Sequence, residues 1–155
     1  MTDKVLKDIS TIEQLIDKGD IENKEVSQKG TYWQLEHSLK VLKAIAKLLI
    51  ASKPEEYNPK FSLAKWVILI SGKIPRGKGR APKKTISQEE DNITVEKLKS
   101  RVDELRELMK TVKTLPHDSF FPHPLFKDVK YKWAVRFMSI HTRHHLAIID
   151  DIMKK

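Results

Sequence analysis

Cysteine is absent from this chain of 155 residues. Its absence excludes disulfide bonds and thiolate ligands, so any transition-metal site must be built from histidine and carboxylate side chains. No apolar run approaches the roughly 18 residues that a membrane-spanning helix needs. The first residues also lack the hydrophobic segment of a signal peptide. We therefore expect a soluble, cytoplasmic protein.

The composition is that of a folded, charge-rich protein. Apolar residues make up 39% and charged residues 33% of the chain, which argues against disorder. The length predicts one domain over residues 1–155. Thirty Lys and Arg against 21 Asp and Glu give a net charge of +9. This excess could attract nucleic acid or an anionic ligand. Because no nucleic-acid-binding motif accompanies it, solubility is the preferred explanation.

Apolar residues at helical spacing predict an all-α fold. The first helix is predicted over 3–18, with Asp3 as its N-cap and Gly19 as its end. The second is predicted over 31–52, with Thr31 as its N-cap. It carries two apolar stripes, which predicts packing on more than one side. His37 lies in the second of these stripes.

The rest of the chain adds further helices and two loops. Ser62 is predicted to cap a short helix that ends at Gly72. A heptad-like seam begins at Thr94 and continues to about residue 115, and a last helix opens near Asp128. Together these predict an up-and-down four-helix bundle with one extra short helix. The aromatic, Pro-rich segment 116–126 is predicted as a loop that packs over one end of the bundle.

The segment 73–84 contains six basic residues, two glycines and two prolines. This composition predicts a loop. The loop could capture an anionic group, but its glycines match no phosphate-binding fingerprint. A solvated loop without a ligand is therefore the preferred interpretation.

Three of the six histidines lie in one short stretch, His141-Thr-Arg-His144-His145. On a helix, positions i and i+4 lie on one face, about 5–6 Å apart at Cβ. His141 and His145 can therefore bind one metal ion, as the histidine pair of the zincin helix does. The glutamate that follows the first histidine of that motif is replaced here by Thr142, so the zincin base is absent.

The angular positions on the last helix separate the three histidines. At about 100° per residue, His145 lies about 40° from His141, and His144 lies about 60° away on the other side. The predicted apolar face is centred about 20° from His141, between His141 and His145. Arg143 points away from it. This pair is therefore predicted to face the interior, with His144 on the flank.

A buried imidazole must form hydrogen bonds or bind a metal, because an unsatisfied polar ring is costly. One core histidine is usually satisfied by a carbonyl group. Here two histidines share one helix face, and His37 lies on the most apolar helix. This combination favours a metal site over buried histidines that are satisfied by hydrogen bonds. Three imidazoles would leave open positions for water or substrate, the pattern of catalytic sites.

Several stretches of the sequence resemble the DinB-like (YfiT-like) superfamily of metalloenzymes, in particular a branch without a settled activity. The similarity covers nearly the whole chain. It is carried by Trp33-Gln-Leu-Glu-His37, by Phe121-Pro-His-Pro-Leu-Phe126 followed by Trp133, and by His141-Thr-Arg-His-His-Leu146. The resemblance implies a four-helix bundle that holds a divalent metal ion, zinc or nickel, on His37, His141 and His145.

The resemblance also implies a reaction class and an assembly state. Characterised members use low-molecular-weight thiols, so a thiol-dependent transferase or a hydrolase-like enzyme acting on a small molecule is implied, and a homodimer is expected. The alternative is a non-enzymatic protein that binds an anionic small molecule or nucleic acid. No second catalytic residue can be named from the sequence.

The remaining histidines have more than one interpretation. His123 could contact substrate near the mouth of the bundle, but a bracing role in the loop before the last helix is preferred. For His144, a contact with a metal ligand or substrate and a hydrogen bond to a carbonyl group on the helix flank stay equally open. His117 carries no comparable signal.

Overall fold

A computed structural model describes residues 1–76 and 92–154 of the chain. The described residues are mostly helical, which confirms the predicted all-α class in its coarse form. The helices are α1 (Thr2–Ile16), α2 (Thr31–Ala51), α3 (Leu63–Ser71), α4 (Val95–Lys113) and α5 (Tyr131–Met153), with a 3-10 turn at Pro54–Glu56. The strands β1 (Phe120–His123) and β2 (Lys127–Lys130) form a small antiparallel sheet.

The predicted apolar seams form the core. Those of α1 and α4 are at most 1% exposed and consist of Val5, Ile9, Ile12, Ile16, Leu98, Val102, Leu105, Met109 and Val112. The first stripe of α2 is buried along its whole length and consists of Leu35, Leu39, Leu42, Ala46 and Leu49. The second stripe becomes exposed toward the end of the helix, where Leu48 is 41% exposed. Packing on two sides is therefore confined to the N-terminal half of α2, which contains His37.

The helix neighbours differ from the predicted up-and-down order. In an up-and-down bundle, helices that follow each other in the chain are neighbours. Here α2 packs chiefly against α4 and α5, and α1 also packs chiefly against α4 and α5. Helices α1 and α2 touch only slightly, although the Tyr32 hydroxyl in the first turn of α2 donates to the Ile16 carbonyl at the end of α1 at 3.0 Å.

The start of α2 is fixed by residues upstream of it. Gly30, and not Thr31, occupies the N-cap position. Asp20 accepts a hydrogen bond from the Tyr32 amide at 2.9 Å, and the Thr31 hydroxyl accepts one from the Ile21 amide at 2.9 Å. A Cβ at position 30 would lie 2.8 Å from Asp20 Oδ1. A larger residue there would displace the Asp20 side chain from the end of the helix.

Helix α3 has the predicted ends. The Ser62 hydroxyl accepts a hydrogen bond from the Lys65 amide, and Gly72 adopts φ +68° as the C-cap, a conformation that glycine adopts without steric cost. Arg136 of α5 donates from Nε to the Leu69 carbonyl at 2.6 Å. This bond holds the last turn of α3 against α5.

The loop predicted at 116–126 is partly a β-hairpin, so that prediction is wrong in this respect. Phe121 pairs with Val129, and His123 pairs with Lys127. Lys127, the first residue of β2, adopts φ +58°, a left-handed conformation that is uncommon for residues other than glycine. The prediction that this region packs onto the helices is confirmed, because β1 contacts α2 and α5. Helix α5 consequently opens at Tyr131 and not at Asp128.

Two predictions can be compared with the structure only within the described residues. Residues 77–84 of the predicted basic loop lie outside them, and only its first residues, 73–76, are described. Among the described helices, none combines the length and the hydropathy that a membrane crossing requires.

Candidate metal centre

Helices α2 and α5 bring three imidazole rings together. One nitrogen from each of His37, His141 and His145 lies within 4.8 Å of the other two. The ring centroids are 5.3 Å apart for His37 and His141, and 4.7 Å apart for each of the other two pairs. The structure thus places together the three side chains that the sequence singled out.

The two helices run antiparallel at this point. His37 contacts His141, while Gln34, one turn earlier on α2, contacts His145, one turn later on α5. The i, i+4 spacing of His141 and His145 puts both rings on one face of α5. Because each helix is rigid, the positions of the three rings depend on how α2 and α5 pack.

Gln34 fixes the orientation of His145. The Nδ1 atom of His145 lies 2.6 Å from Gln34 Oε1. An amide oxygen can only accept, so Nδ1 carries the proton and Nε2 keeps its lone pair. The Gln34 amide nitrogen in turn donates to the Ser27 hydroxyl at 3.1 Å. Hydrogen bonds of this kind fix the tautomer and the direction of metal-binding histidines.

His141 contributes a buried nitrogen without a hydrogen-bond partner among the described residues. The ring as a whole is half-buried, but its Nδ1 atom is buried and unsatisfied. A buried polar atom of this kind costs about 1–3 kcal/mol. A bound metal ion or water molecule would remove that cost.

Burial lowers the pKa of two of the rings. The pKa of His141 falls to about 3, chiefly through desolvation and then through the neighbouring His37. The pKa of His145 falls to about 2, again chiefly through desolvation and then through His141. Both imidazoles are therefore neutral at pH 7, which is the protonation state that binds a metal.

Trp33 supports His37 one turn earlier on α2. The two rings stack with centroids 4.9 Å apart and an angle of 7° between their planes. The same indole meets the edge of His145 at 6.5 Å. Trp33 thus forms a flat wall against two of the three imidazoles and limits the directions in which they can turn.

The buried face of α5 is broader than predicted. It extends past the histidine pair to Val135, Ser139 and Thr142, which are 1%, 7% and 0% exposed. The polar residues on this side are buried because α5 also packs against α1, where Ser139 donates to Asp8. The histidine pair consequently lies toward one edge of the buried face, and His141 remains partly exposed there.

His144 lies beside the group and outside it. Its ring meets the edge of His145 at 5.2 Å. Desolvation lowers its pKa first, followed by the charge of Arg76, while a hydrogen bond with the Ile74 backbone acts in the opposite direction. Both contacts considered for His144 are present, since its ring meets the proposed ligand His145 and also bonds the Ile74 backbone. Arg76 also pairs with Asp151 at 2.6 Å, which holds the segment after α3 across this flank.

His123 braces the hairpin. Its Nδ1 atom accepts hydrogen bonds from the Leu125 and Phe126 amides, both at 3.1 Å, and its ring stacks on Phe126 with centroids 4.0 Å apart. Burial lowers its pKa to about 4. Phe137 contacts both His123 and His141, so His123 is adjacent to the centre without belonging to it. His117 contacts Tyr131 and is not a member of the group.

Gln34, the partner of His145, is not among the site residues predicted from the sequence. Its position offered a signal, because it lies one turn before His37 on the same helix. A metal-binding histidine normally donates its second N–H to an oxygen, so Gln34 was one candidate acceptor for a predicted ligand.

The centre contains no carboxylate among the described residues. Glu36 is next to His37 in the chain, but it pairs with Arg101 at 3.2 Å and Lys40 at 3.4 Å. Histidine binds a metal in its neutral form, so three histidine ligands would leave the double charge of a divalent ion uncompensated. The arrangement therefore favours an anionic fourth ligand.

Comparison with known proteins gives no relative from which a role could be transferred. No family model matches the chain, and searches of curated proteins and of solved structures found no match either.

Proposed function

We propose that this chain is a metal-dependent enzyme whose divalent ion, zinc or nickel, binds to His37, His141 and His145. The observation that carries the proposal is the convergence of three imidazoles from two helices, one of them with an unsatisfied buried nitrogen. Histidine is a preferred ligand of both metals. Three protein ligands leave a coordination position open, as catalytic zinc sites do.

We further propose that the fold is a four-helix bundle of the DinB-like type. Helices α1, α2, α4 and α5 would form the bundle, and α3 would be the extra short helix on its outside. Support comes from the shared core of the four long helices and from the contact of α3 with α5.

The chemistry of the proposed centre follows from its ligands. A divalent ion held there would lower the pKa of a coordinated water or thiol and so supply a nucleophile at neutral pH. Gln34 would hold His145 in the metal-binding tautomer. Trp33 and Phe137 would exclude water from two sides of the rings, which strengthens electrostatic interactions inside the site.

We propose a transferase or hydrolase-like reaction on a small molecule. The chain has no cysteine, so a thiol nucleophile would have to arrive as a substrate. The neutral ligand set supports this class of reaction, because a thiolate or hydroxide would balance part of the charge of the ion. Within the described residues, we assign no general base beside the three ligands.

The proposal is tested by measuring metal content in protein without a histidine tag, purified without a nickel column. We expect close to one zinc or nickel ion per chain by plasma mass spectrometry, or restoration of that ratio when either ion is added to metal-free protein. Little bound metal that neither ion can restore would refute the metal centre.

Variants identify the ligands. His37→Ala, His141→Ala and His145→Ala should each lose the ion, because each removes one of three protein ligands. His144→Ala and the exposed control His117→Ala should keep it. Equal loss of metal in His144→Ala would show that the ligand set is wrong. Circular dichroism of each variant separates loss of metal from loss of fold.

A further inference from the structure

A second concave site lies between α3, the hairpin and the start of α5. It is a cavity of about 400 Å³, within the range of small-molecule sites. Trp133 at its wall and His141 of the metal centre are separated by about 12 Å along the axis of α5, at 1.5 Å per residue. The cavity and the metal centre share no residue.

Three aromatic rings line this cavity: Tyr57, Trp66 and Trp133. The two indoles meet edge to face, with centroids 5.4 Å apart and an angle of 85° between their planes. They form a right-angled corner in which a flat ring can stack on one indole and meet the edge of the other. Such geometry is preferred by aromatic pairs.

A lysine ammonium group lies near the face of each of these rings. Lys130 lies 4.8 Å from the Tyr57 ring centroid, Lys65 lies 5.6 Å from Trp66, and Lys132 lies 5.7 Å from Trp133. Contacts of this kind stabilise by only about 0.5–2 kcal/mol. Among the described residues, no carboxylate forms an ion pair with any of these three ammonium groups.

Lys65 is the most informative of the three. It is only 8% exposed, and its ammonium group donates to the Lys60 carbonyl at 3.4 Å, beyond the usual range for such a bond. A buried charge without a close partner is costly. Asp128 also lines the cavity, but its Oδ2 atom accepts a hydrogen bond from the Asn58 amide at 2.7 Å.

We propose that this cavity binds an aromatic carboxylate, with its ring in the corner of Trp66 and Trp133 and its carboxylate on the ammonium group of Lys65. The ligand would give Lys65 a charged partner, and the ring would bury the apolar faces of the indoles. The exposed Lys130 and Lys132 would add attraction at the rim. The site does not depend on a metal ion.

The experiment uses the full chain and 2-naphthoate as the probe. Calorimetry should show saturable binding, and NMR should show shifts of the Trp66 and Trp133 indole N–H signals, with the Trp33 signal unchanged. The uncharged analogue 2-naphthalenemethanol should bind about tenfold more weakly or worse, as expected for the loss of one charge-assisted contact.

Lys65→Met removes the buried charge and keeps the volume, and it should weaken naphthoate binding by about tenfold. Lys132→Met, at an exposed position, provides a second test if the first variant folds poorly. Lys47→Met, on the exposed face of α2, is the matched control and should bind as the natural chain does. Equal affinity for the uncharged analogue, no saturable binding, or a shift of the Trp33 signal would overturn the proposal.

Discussion

The interface of α1 with α4 and the interface of α2 with α5 differ in what fills them. The first is an apolar seam whose buried residues are at most 1% exposed. Its polar contacts lie at the rim, where Arg106 binds Glu13 through two bonds of 3.0 and 2.7 Å. The second interface holds three imidazoles and an amide side chain, and one buried nitrogen there has no hydrogen-bond partner within the part of the chain that the structure describes.

The two interfaces contribute differently, one to stability and the other to the candidate site. The α1–α4 seam gains stability from apolar burial, at about 25 cal/mol for each Å². The α2–α5 seam gives up part of that gain to keep polar groups inside. Residues that lower stability in this way are expected where a protein binds a ligand or performs chemistry.

The largest expected effect comes from truncating the apolar seam. Leu105→Ala removes a side chain that is fully buried and should lower the free energy of unfolding by about 2–5 kcal/mol. Urea denaturation of metal-free protein measures this loss. The folded fraction should still bind metal, because Leu105 lies on α4 and not beside the imidazoles.

No loss of stability is expected when a polar residue of the α2–α5 interface is replaced by an apolar one. His141→Leu removes an unsatisfied nitrogen and adds apolar volume, so metal-free protein should be no less stable than the natural chain. It should also bind no metal. A loss as large as that of Leu105→Ala would show that His141 contributes to the core as an ordinary packed residue, and the contrast between the seams would fail.

A smaller effect is expected at Gln34. Gln34→Leu removes the acceptor for His145 Nδ1, so the ring can adopt either tautomer and can turn. Loss of such a hydrogen bond typically weakens metal binding by about 10–100-fold. Competition with a fluorescent zinc chelator measures the change.

Gln28→Leu makes the same substitution at an exposed position and serves as the matched control. It should leave zinc affinity unchanged. If both variants bind zinc as the natural chain does, the hydrogen bond of Gln34 does not orient a ligand.

The smallest effect concerns pH and the hairpin. The folded-state pKa of His123 is about 4, below the ordinary value of about 6.5. The native state therefore resists the proton that the unfolded chain accepts. The contribution of His123 to stability is complete above about pH 6.5 and is lost as the pH falls from there to about 4. The loss amounts to at most about 1.4 kcal/mol for each pH unit.

His123→Asn keeps an acceptor near the Leu125 and Phe126 amides and removes the titrating ring. Urea denaturation of metal-free protein between pH 6.5 and 5 should give a shallower fall in stability for this variant. Leu125→Ala, in the same turn and 71% exposed, should keep the slope of the natural chain. An NMR titration midpoint of His123 near 6.5 would contradict the prediction directly.

Helices with local signals could be predicted from the sequence. The seams of α1 and α4 follow helical spacing because a single face of each is buried. Ser62, Gly72 and Thr94 end or begin their helices through bonds to residues close in the chain. Such signals need no knowledge of the rest of the fold.

Features set by distant residues could not be predicted. The start of α2 depends on Asp20, which lies in the preceding connection. The hairpin carries two prolines and places a lysine where glycine is usual, so its turn has no readable signal. The buried flank of α5 contains Ser139 and Thr142, which are polar and become buried only because α1 covers them.

The candidate site could be predicted only in part. The histidine pair on α5 is visible from its spacing, because one helix determines where both rings point. The role of His37 as a third ligand could be inferred only from its apolar setting and from a family resemblance, because the contact between α2 and α5 depends on tertiary packing. Gln34 has an ordinary helical position, and its role becomes visible only when His145 is placed against it.

The contact of Asp20 with the first turn of α2 sets the phase of that helix. If the sequence of α2 were shifted by one residue along a fixed backbone, every side chain would move by about 100° about the helix axis. His37 would then leave the seam, and a different residue would face His141. The glycine at position 30 leaves room for Asp20 to bond the Tyr32 amide, so a residue with no imidazole contact helps to fix where the helix that carries His37 begins.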